Sequence, residues 1–428
     1  FLAFNLIGER AIIFSGTFVL DTLGSTFKVF ILGFAIIALA YTRHYLKVHD
    51  LLRNEYFILA LMSILGMLIM VSGHSLLTLY LGLEIMSLSL YALIATARDR
   101  TAAIEAALKY FVLGAIASGL LLYGMSMIYG ISGSLNIAQI SNFASAATLG
   151  SQQTLILNFG LVFLVIGVAF KLGAVPFHMW VPDVYQGSPT SVTMFLSSVP
   201  KIAALAILIR LLIDGLGSLQ HYWSDLFMIL AILSIAIGSL VALNQTNIKR
   251  MLAYSTISHI GFVLLGFVTG VVDGYGAAVF YVLTYILMSL AAFGVIIALN
   301  KNGFEADQIA DFQGLSKSSP WLALIMLVVM LSMAGVPPFI GFYSKLFILQ
   351  QVVAEGYVIL AVLAVIFAVI SAYYYLQIIK TMYFSNKDKS IVIYAPLDMK
   401  ALLSINGILI LLVGLMPSFW MELSVSLF

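Results

Sequence analysis

Lys171-Leu-Gly-Ala-Val-Pro-Phe-His-Met-Trp-Val-Pro-Asp-Val-Tyr-Gln-Gly-Ser-Pro189 closes an apolar run that extends from Leu155 to Phe170. A helix that only has to satisfy lipid has no use for the charge of Lys171. Pro176 then removes a backbone donor and breaks the helix. His178 follows, and a Pro/Gly-rich turn carries Asp183. An ionisable residue beside a helix break inside a hydrophobic span is the usual build of an ion pathway.

Composition sets the class. The chain has 428 residues, of which 62% are hydrophobic and 9% charged. Soluble domains carry about 25% charge, so this is a polytopic membrane protein. A net charge of +2 gives no reason to expect a nucleic-acid partner. The lack of cysteine excludes disulfides, thiolate metal sites and cysteine-ligated iron–sulfur clusters from these residues. The chain begins at Phe1 rather than Met and shows no cleavable signal peptide, so the true N-terminus is expected to lie upstream.

A helix needs about 20 apolar residues to cross the hydrocarbon. That rule gives about twelve spans, near 22–44, 55–72, 75–97, 101–130, 154–180, 191–213, 225–244, 250–270, 274–300, 320–349, 356–382 and 401–420. Runs this long and continuous do not read as the alternating strands of a barrel. The loop from Ile131 to Gln153 is polar and uncharged. The loop from Lys301 to Ser319 carries Glu305, Asp307, Asp311 and Lys317 and is expected in water.

With twelve alternating spans, one side collects Arg43, Lys47, Arg53, Arg98, Arg100, Lys249, Arg250, Lys301, Lys317, Lys380, Lys387, Lys389 and Lys400. The other side receives Arg10, Arg210 and Lys28. The first side is therefore expected to be cytoplasmic. Gly173-Ala-Val-Pro-Phe177 also echoes Ala334-Gly-Val-Pro-Pro-Phe339. The two breaks lie in the fifth and tenth spans, which cross in opposite directions, as in an inverted repeat. Chance remains an alternative for so short a match.

Four charges lie near the bilayer interior: Glu84, Lys171, Lys201 and Lys345. Each costs roughly 2.5–3.5 kcal/mol at a helix centre, so the set costs on the order of 10–14 kcal/mol before pairing. Such groups persist only if they pair, lose charge or line water. Structural ion pairs are the alternative to a proton relay, but three lysines to one glutamate do not balance. Lys109 lies two turns into its span and either snorkels to the interface or joins the relay. His259 is either a packed, hydrogen-bonded histidine or a relay group. His178 would share a face with Lys171 in an unbroken helix, which Pro176 interrupts. Lys249 and Arg250 begin a span as orientation anchors. Tyr281, Tyr285 and Ser289 form a stripe that reads as helix packing, and Tyr373-Tyr-Tyr375 as an interface belt or packing.

These motifs resemble a known family. Leu81-Gly-Leu-Glu84, the stretch from Phe170 to Gly187, and Asn244-Gln-Thr-Asn-Ile-Lys-Arg-Met-Leu-Ala-Tyr-Ser-Thr-Ile-Ser-His259 are similar to the antiporter-like subunit N of bacterial respiratory complex I, the proton-pumping NADH:quinone oxidoreductase. The likeness runs from about residue 50 to the C-terminus. Pro-Phe-His-x-Trp-x-Pro-Asp alone also occurs in multisubunit cation/proton antiporters.

The resemblance implies fourteen helices, here about twelve, as two inverted five-helix repeats, each with a broken helix. It divides the chain into 1–54, the N-terminal segment and first helix; 55–214, the first repeat; 215–383, the second; and 384–428, the last loop and helix. It implies that Glu84, paired with Lys171, and then Lys201 and Lys345 carry the proton, with Lys109, His178 and His259 secondary. FMN, iron–sulfur clusters and quinone would sit on other subunits, with no cofactor or metal in this chain. Its partners would be the other membrane subunits, above all neighbouring antiporter-like ones, within the bilayer of the bacterial inner membrane. An autonomous cation/proton antiporter subunit is the alternative function, and a structural scaffold a third.

Overall fold

The structure, a computed structural model, describes residues 2–146, 150–300, 304–385 and 396–428. Lys301, Lys387 and Lys389, counted above among the bases of one face, lie outside the described residues. Among the described residues twelve crossing segments follow one another: Thr22–Val48, Asn54–Ser72, Leu76–Ile94, Thr101–Ser132, a fifth built from Ser151–Leu172 and Trp180–Gly187, Thr190–Gly215, Gly217–Ala242, Ile248–Val268, Val272–Leu299, a tenth built from Pro320–Ala334 and Ile340–Ala354, Val358–Phe384 and Leu397–Leu415. Eleven contain a helix long and apolar enough to cross alone; the tenth does so only as two halves together. Backbone polar groups in oil have to bond within their own segment, which is why the apolar runs become helices.

Three features differ from the sequence reading. Residues before the first span form a small antiparallel hairpin, Ala11–Ile13 with Phe18–Leu20. The loop after the fourth span contains the helix Ile137–Ala144, capped by the Asn136 side chain, which accepts from the Gln139 N–H. The sixth span is not uniform: its helix is interrupted at Ser198, restarts at Pro200, and widens into a π-helical turn over Ile209–Gly215.

The sixth span is wholly buried and the eighth and ninth nearly so, whereas the eleventh and twelfth present most of their surface outward. The charges of the interior therefore sit on or against the central helices. Around them, small residues allow close approach. A Cβ on Gly66 would lie 2.4 Å from the Met86 nitrogen, and one on Gly82 would lie 2.9 Å from the Gly66 oxygen. The second and third spans thus touch backbone to backbone.

The two breaks share one geometry. The fifth span stops at Gly173, φ +85°, where the Gly173 and Ala174 N–H groups both donate to the Ala169 carbonyl. The tenth stops at Gly335, φ +86°, where Gly335 and Val336 both donate to Leu331. This left-handed cap is cheap only for glycine. The sequence echo is a shared helix stop that leaves a C-terminal row of carbonyls inside the bundle.

Candidate functional site

Glu84 and Lys171 come from the third and fifth spans. Ser118 of the fourth span donates to the Glu84 carboxylate. Lys171 is 6% exposed and donates to Ser87 at 2.8 Å and to Tyr91 at 3.4 Å. Ser87 lies one helical turn beyond Glu84, so the two charges share a face of the third span. No ion pair within 4.0 Å joins Glu84 to Lys171 among the described residues; hydroxyls occupy the first contacts of both. In place of the expected direct pair stand separate hydroxyl contacts, Ser118 on Glu84 and Ser87 with Tyr91 on Lys171.

Lys201 is 2% exposed, and its ammonium donates to the Leu172 carbonyl at 2.8 Å. That carbonyl ends the first half of the broken fifth helix, where the macrodipole is negative and favours a cation. Trp180 stands beside it, with its ring centre 5.7 Å from the Lys201 nitrogen. Trp180 stacks on Tyr110, and Tyr110 meets Tyr91 edge to face next to Lys171. An aromatic wall thus stands between the first two lysines.

Lys345 repeats the arrangement. It donates to the Met333 and Ala334 carbonyls, both at 3.1 Å, which end the first half of the tenth span. Its nitrogen also lies 5.6 Å from the Phe262 ring centre. Between Lys201 and Lys345 the side-chain contacts pass through the ninth span. Ser197 bonds Ser289 at 3.0 Å, Tyr285 bonds Thr256 at 2.7 Å, and Thr284 bonds Ser344 at 2.7 Å. His259 lies among them, with Nδ1 2.7 Å from Tyr281 and Nε2 3.0 Å from Tyr375. A neutral imidazole uses one ring nitrogen as donor and the other as acceptor, so the hydroxyls on both sides satisfy it.

The stripe of Tyr281, Tyr285 and Ser289, read from spacing as packing, faces these polar groups. Tyr373 is exposed, as a belt residue would be, but Tyr375 is buried against His259. Spacing alone gave no signal for Tyr375. Ser87, by contrast, was readable as the hydroxyl one turn from Glu84.

Lys109 lies at the rim, not in the interior. Its side chain is 42% exposed and bonds Asp183 at 2.7 Å and Glu105 at 2.8 Å. Arg250 grips the other oxygen of Asp183 at 2.7 Å. Lys109, Glu105 and Asp183, with Ala102, Gln186, Gly187 and Asp307, line an open cleft of about 310 Å³. His178 is half-buried in the break, and no hydrogen bond or ion pair among the described residues joins it to Lys171 or Lys201. The helix turn that would have aligned His178 with Lys171 does not exist, because the chain leaves the helix at Gly173.

Two surface assignments are corrected. Lys249 is buried at 1% exposure and donates to the Ser188 carbonyl at 3.0 Å. Glu305 does not sit free in water: Tyr45 and Arg100 donate to it, and Lys249 lies 3.7 Å away. Burial pushes the Glu305 carboxyl up, but Lys249, Tyr45 and Arg100 outweigh that and hold it below the usual carboxylate range. A depressed pKa contributes stability that is present above the unfolded value, about 4.3, and lost as pH falls through the folded value. Glu305→Gln leaves Lys249 buried without its counter-charge and is expected to cost about 3 kcal/mol. Thermal unfolding of the purified assembly across pH checks this. The variant is expected to unfold earlier at neutral pH and to lack the wild type's further loss below pH 4.

Residues 73–371 match the family described as NADH:quinone oxidoreductase/Mrp antiporter, TM. Over its full 428 residues the chain is 71% identical to the NADH-quinone oxidoreductase subunit N of Ruthia magnifica subsp. Calyptogena magnifica, and it covers 88% of that protein. The chain belongs to the subunit N family. The subunit N of Thioalkalivibrio sulfidiphilus is 52% identical over 416 residues, covering 97% of this chain and 86% of that one. A chain of respiratory complex I from Thermus thermophilus, solved with bound Aureothin, superposes with a TM-score of 0.83 at 33% identity. That match covers 99% of this chain and 91% of the other. The family region contains every interior charge from Glu84 to Lys345, and the resemblance drawn from the motifs holds at the level of the subunit N family.

Proposed function

We propose that this chain is a proton-translocating membrane subunit of NADH:quinone oxidoreductase, with Glu84, Lys171, Lys201, His259 and Lys345 as its proton axis. One observation carries the reading: two broken helices stop at left-handed glycines, and each offers its terminal carbonyls to a buried lysine. An amine held by carbonyls, with no carboxylate clamped to it, has somewhere to sit when charged and loses no ion pair when it gives up its proton.

The switch is the gap between Glu84 and Lys171. Closing it to about 4 Å at an effective dielectric near 20 is worth roughly 4 kcal/mol. Moving one proton against 100 mV costs about 2.3 kcal/mol, so opening and closing the pair is large enough to drive a transfer. With the pair open, Lys171 releases its proton past the Trp180 wall to Lys201. The hydroxyls of Ser289, Tyr285 and Tyr281, with His259, lead on to Lys345. Lys109 and Asp183 stand at the rim where a proton is taken up; His178 is a secondary group of the break.

On this reading the chain itself carries no redox chemistry. FMN, iron–sulfur clusters and quinone reside on other subunits, and the want of cysteine here excludes thiolate ligation of a cluster. Residues 55–214 and 215–383 act as the two inverted repeats, flanked by 1–54 and 384–428. The membrane is the bacterial inner membrane, with the Lys/Arg-rich loops cytoplasmic.

The reading is tested with Glu84→Ala and Lys345→Ala in the assembled complex, measuring protons moved per quinone reduced. Both ratios are expected to fall. An unchanged ratio in either removes that residue from the axis. An autonomous antiporter would purify without redox partners, which is the separate check on the complex.

A further inference from the structure

One polar site lies apart from the lysine axis. At the far end of the sixth span, on the π-helical turn, Arg210 is 4% exposed. Its guanidinium reaches Asp21 at 2.7 and 2.8 Å, Asp214 at 3.0 Å, and the Val71 carbonyl at 3.2 and 3.3 Å. With Arg10 and His74, the Arg210, Asp21 and Asp214 side chains line a cavity of about 640 Å³, large enough to hold several waters. π-helical turns are frequent at functional sites.

The two carboxylates are not equivalent. Asp21 takes the bidentate fork of Arg210 and also accepts from the Gly24 N–H at 2.8 Å, capping the first span. Asp214 holds Arg210 by a single contact, and its side chain is 36% exposed to the cavity. Asp214 can therefore take a proton while Arg210 keeps its fork to Asp21.

A second observation points inward from the cavity. The hydroxyls of Ser25, Ser72 and Ser63 are buried without a hydrogen-bond partner. They lie on the first and second spans, both of which pack against Pro200–Leu208, the helix of Lys201. Ser72 adjoins Val71, whose carbonyl Arg210 holds, and Ser63 lies about 14 Å deeper along the same helix. Buried hydroxyls of this kind are places where water bonds.

We propose that Asp214 is the proton-exchange group of an aqueous port on the face opposite the Lys/Arg-rich loops. The inference rests on the proton-relay reading above. In the step, an Asp214 carboxylate oxygen accepts a proton from a water on its interior side, whose O–H bond breaks as the new O–H bond forms. That bond then breaks towards cavity water, yielding hydronium. No electrons move, and Arg210 stays charged throughout. Arg210 and Asp21 are positioning residues that hold the turn and the mouth of the first span.

These 428 residues contain no cysteine, so Ile213→Cys, one residue from Asp214 on the cavity wall, places a single thiol among them in the assembled complex. Treatment with a membrane-impermeant methanethiosulfonate ammonium reagent is expected to modify it in right-side-out vesicles and not in inverted ones. No reaction from either side, or reaction only from the cytoplasmic side, overturns the port. Asp214→Asn is expected to lower protons moved per quinone reduced, with recovery in Asp214→Glu. Lys201→Ala, measured in parallel, separates the two readings. If it lowers the ratio and Asp214→Asn does not, the port falls and the relay stands. If neither lowers it, both fall.

Discussion

Lys201→Arg in the assembled complex is expected to hold the fold and stop the relay. The guanidinium can still donate to the Leu172 carbonyl, which now bonds the Lys201 amine at 2.8 Å. Arginine is effectively never deprotonated in proteins. Its ordinary pKa lies about two to three units above lysine's, so proton release is expected to slow by about 100-fold or more. Lys201→Ala removes the amine outright and leaves a buried carbonyl unpaired, at a cost of about 1–3 kcal/mol. The measurement is protons moved per quinone reduced in sealed vesicles, alongside the amount of chain in the purified complex. Normal assembly with a reduced ratio in Lys201→Arg is the expected outcome. An unchanged ratio removes Lys201 from the pathway.

The second large effect concerns assembly. Gly66→Val is expected to remove the chain from the complex almost completely. The new Cβ would meet the Met86 nitrogen at 2.4 Å and the Gly82 oxygen at 2.6 Å. Both are backbone atoms, so no side chain can turn aside, and the second and third spans must separate. Overpacking alone costs about 1–3 kcal/mol in a core that can adjust, and this contact cannot. The third span carries Glu84 and Ser87, so the loss reaches the site. Gly119 is the control: nothing lies within 4 Å of a Cβ there. Gly119→Ala is expected to be neutral or to stabilise by about 0.5–1 kcal/mol, as removal of a helix-interior glycine does. Quantifying the chain in purified membranes distinguishes the two.

Parts of the site were open to sequence reasoning because burial of charge is costly in one dimension as in three. Lys171, Lys201 and Lys345 stood out from their apolar runs, and each is in fact buried. The stop motif was also readable: a glycine before a proline in a hydrophobic run leaves few backbone options. Lys249 and Glu305 were misjudged because they stand at the ends of apolar runs, where sequence suggests water. Only the folding of the 304–319 segment over the helix ends encloses them. Lys109 remained open between rim and interior until Asp183, far away in sequence, was found beside it.

The amino-acid order by itself determined the class of molecule, the number of crossings and the residues that lipid could not tolerate unpaired. Run length against bilayer thickness and the cost of a charge in oil are both local quantities. What only the tertiary structure decided was who meets whom. These helices are apolar on nearly every side, so no amphipathic stripe tells which face turns inward. The meeting of Lys201 with Leu172, of Lys345 with Met333 and Ala334, and of His259 with Tyr281 and Tyr375 depends on how each helix rotates against its neighbours. That rotation is set by close packing at small residues such as Gly66 and Gly82, and by buried hydrogen bonds that form only once the bundle has closed.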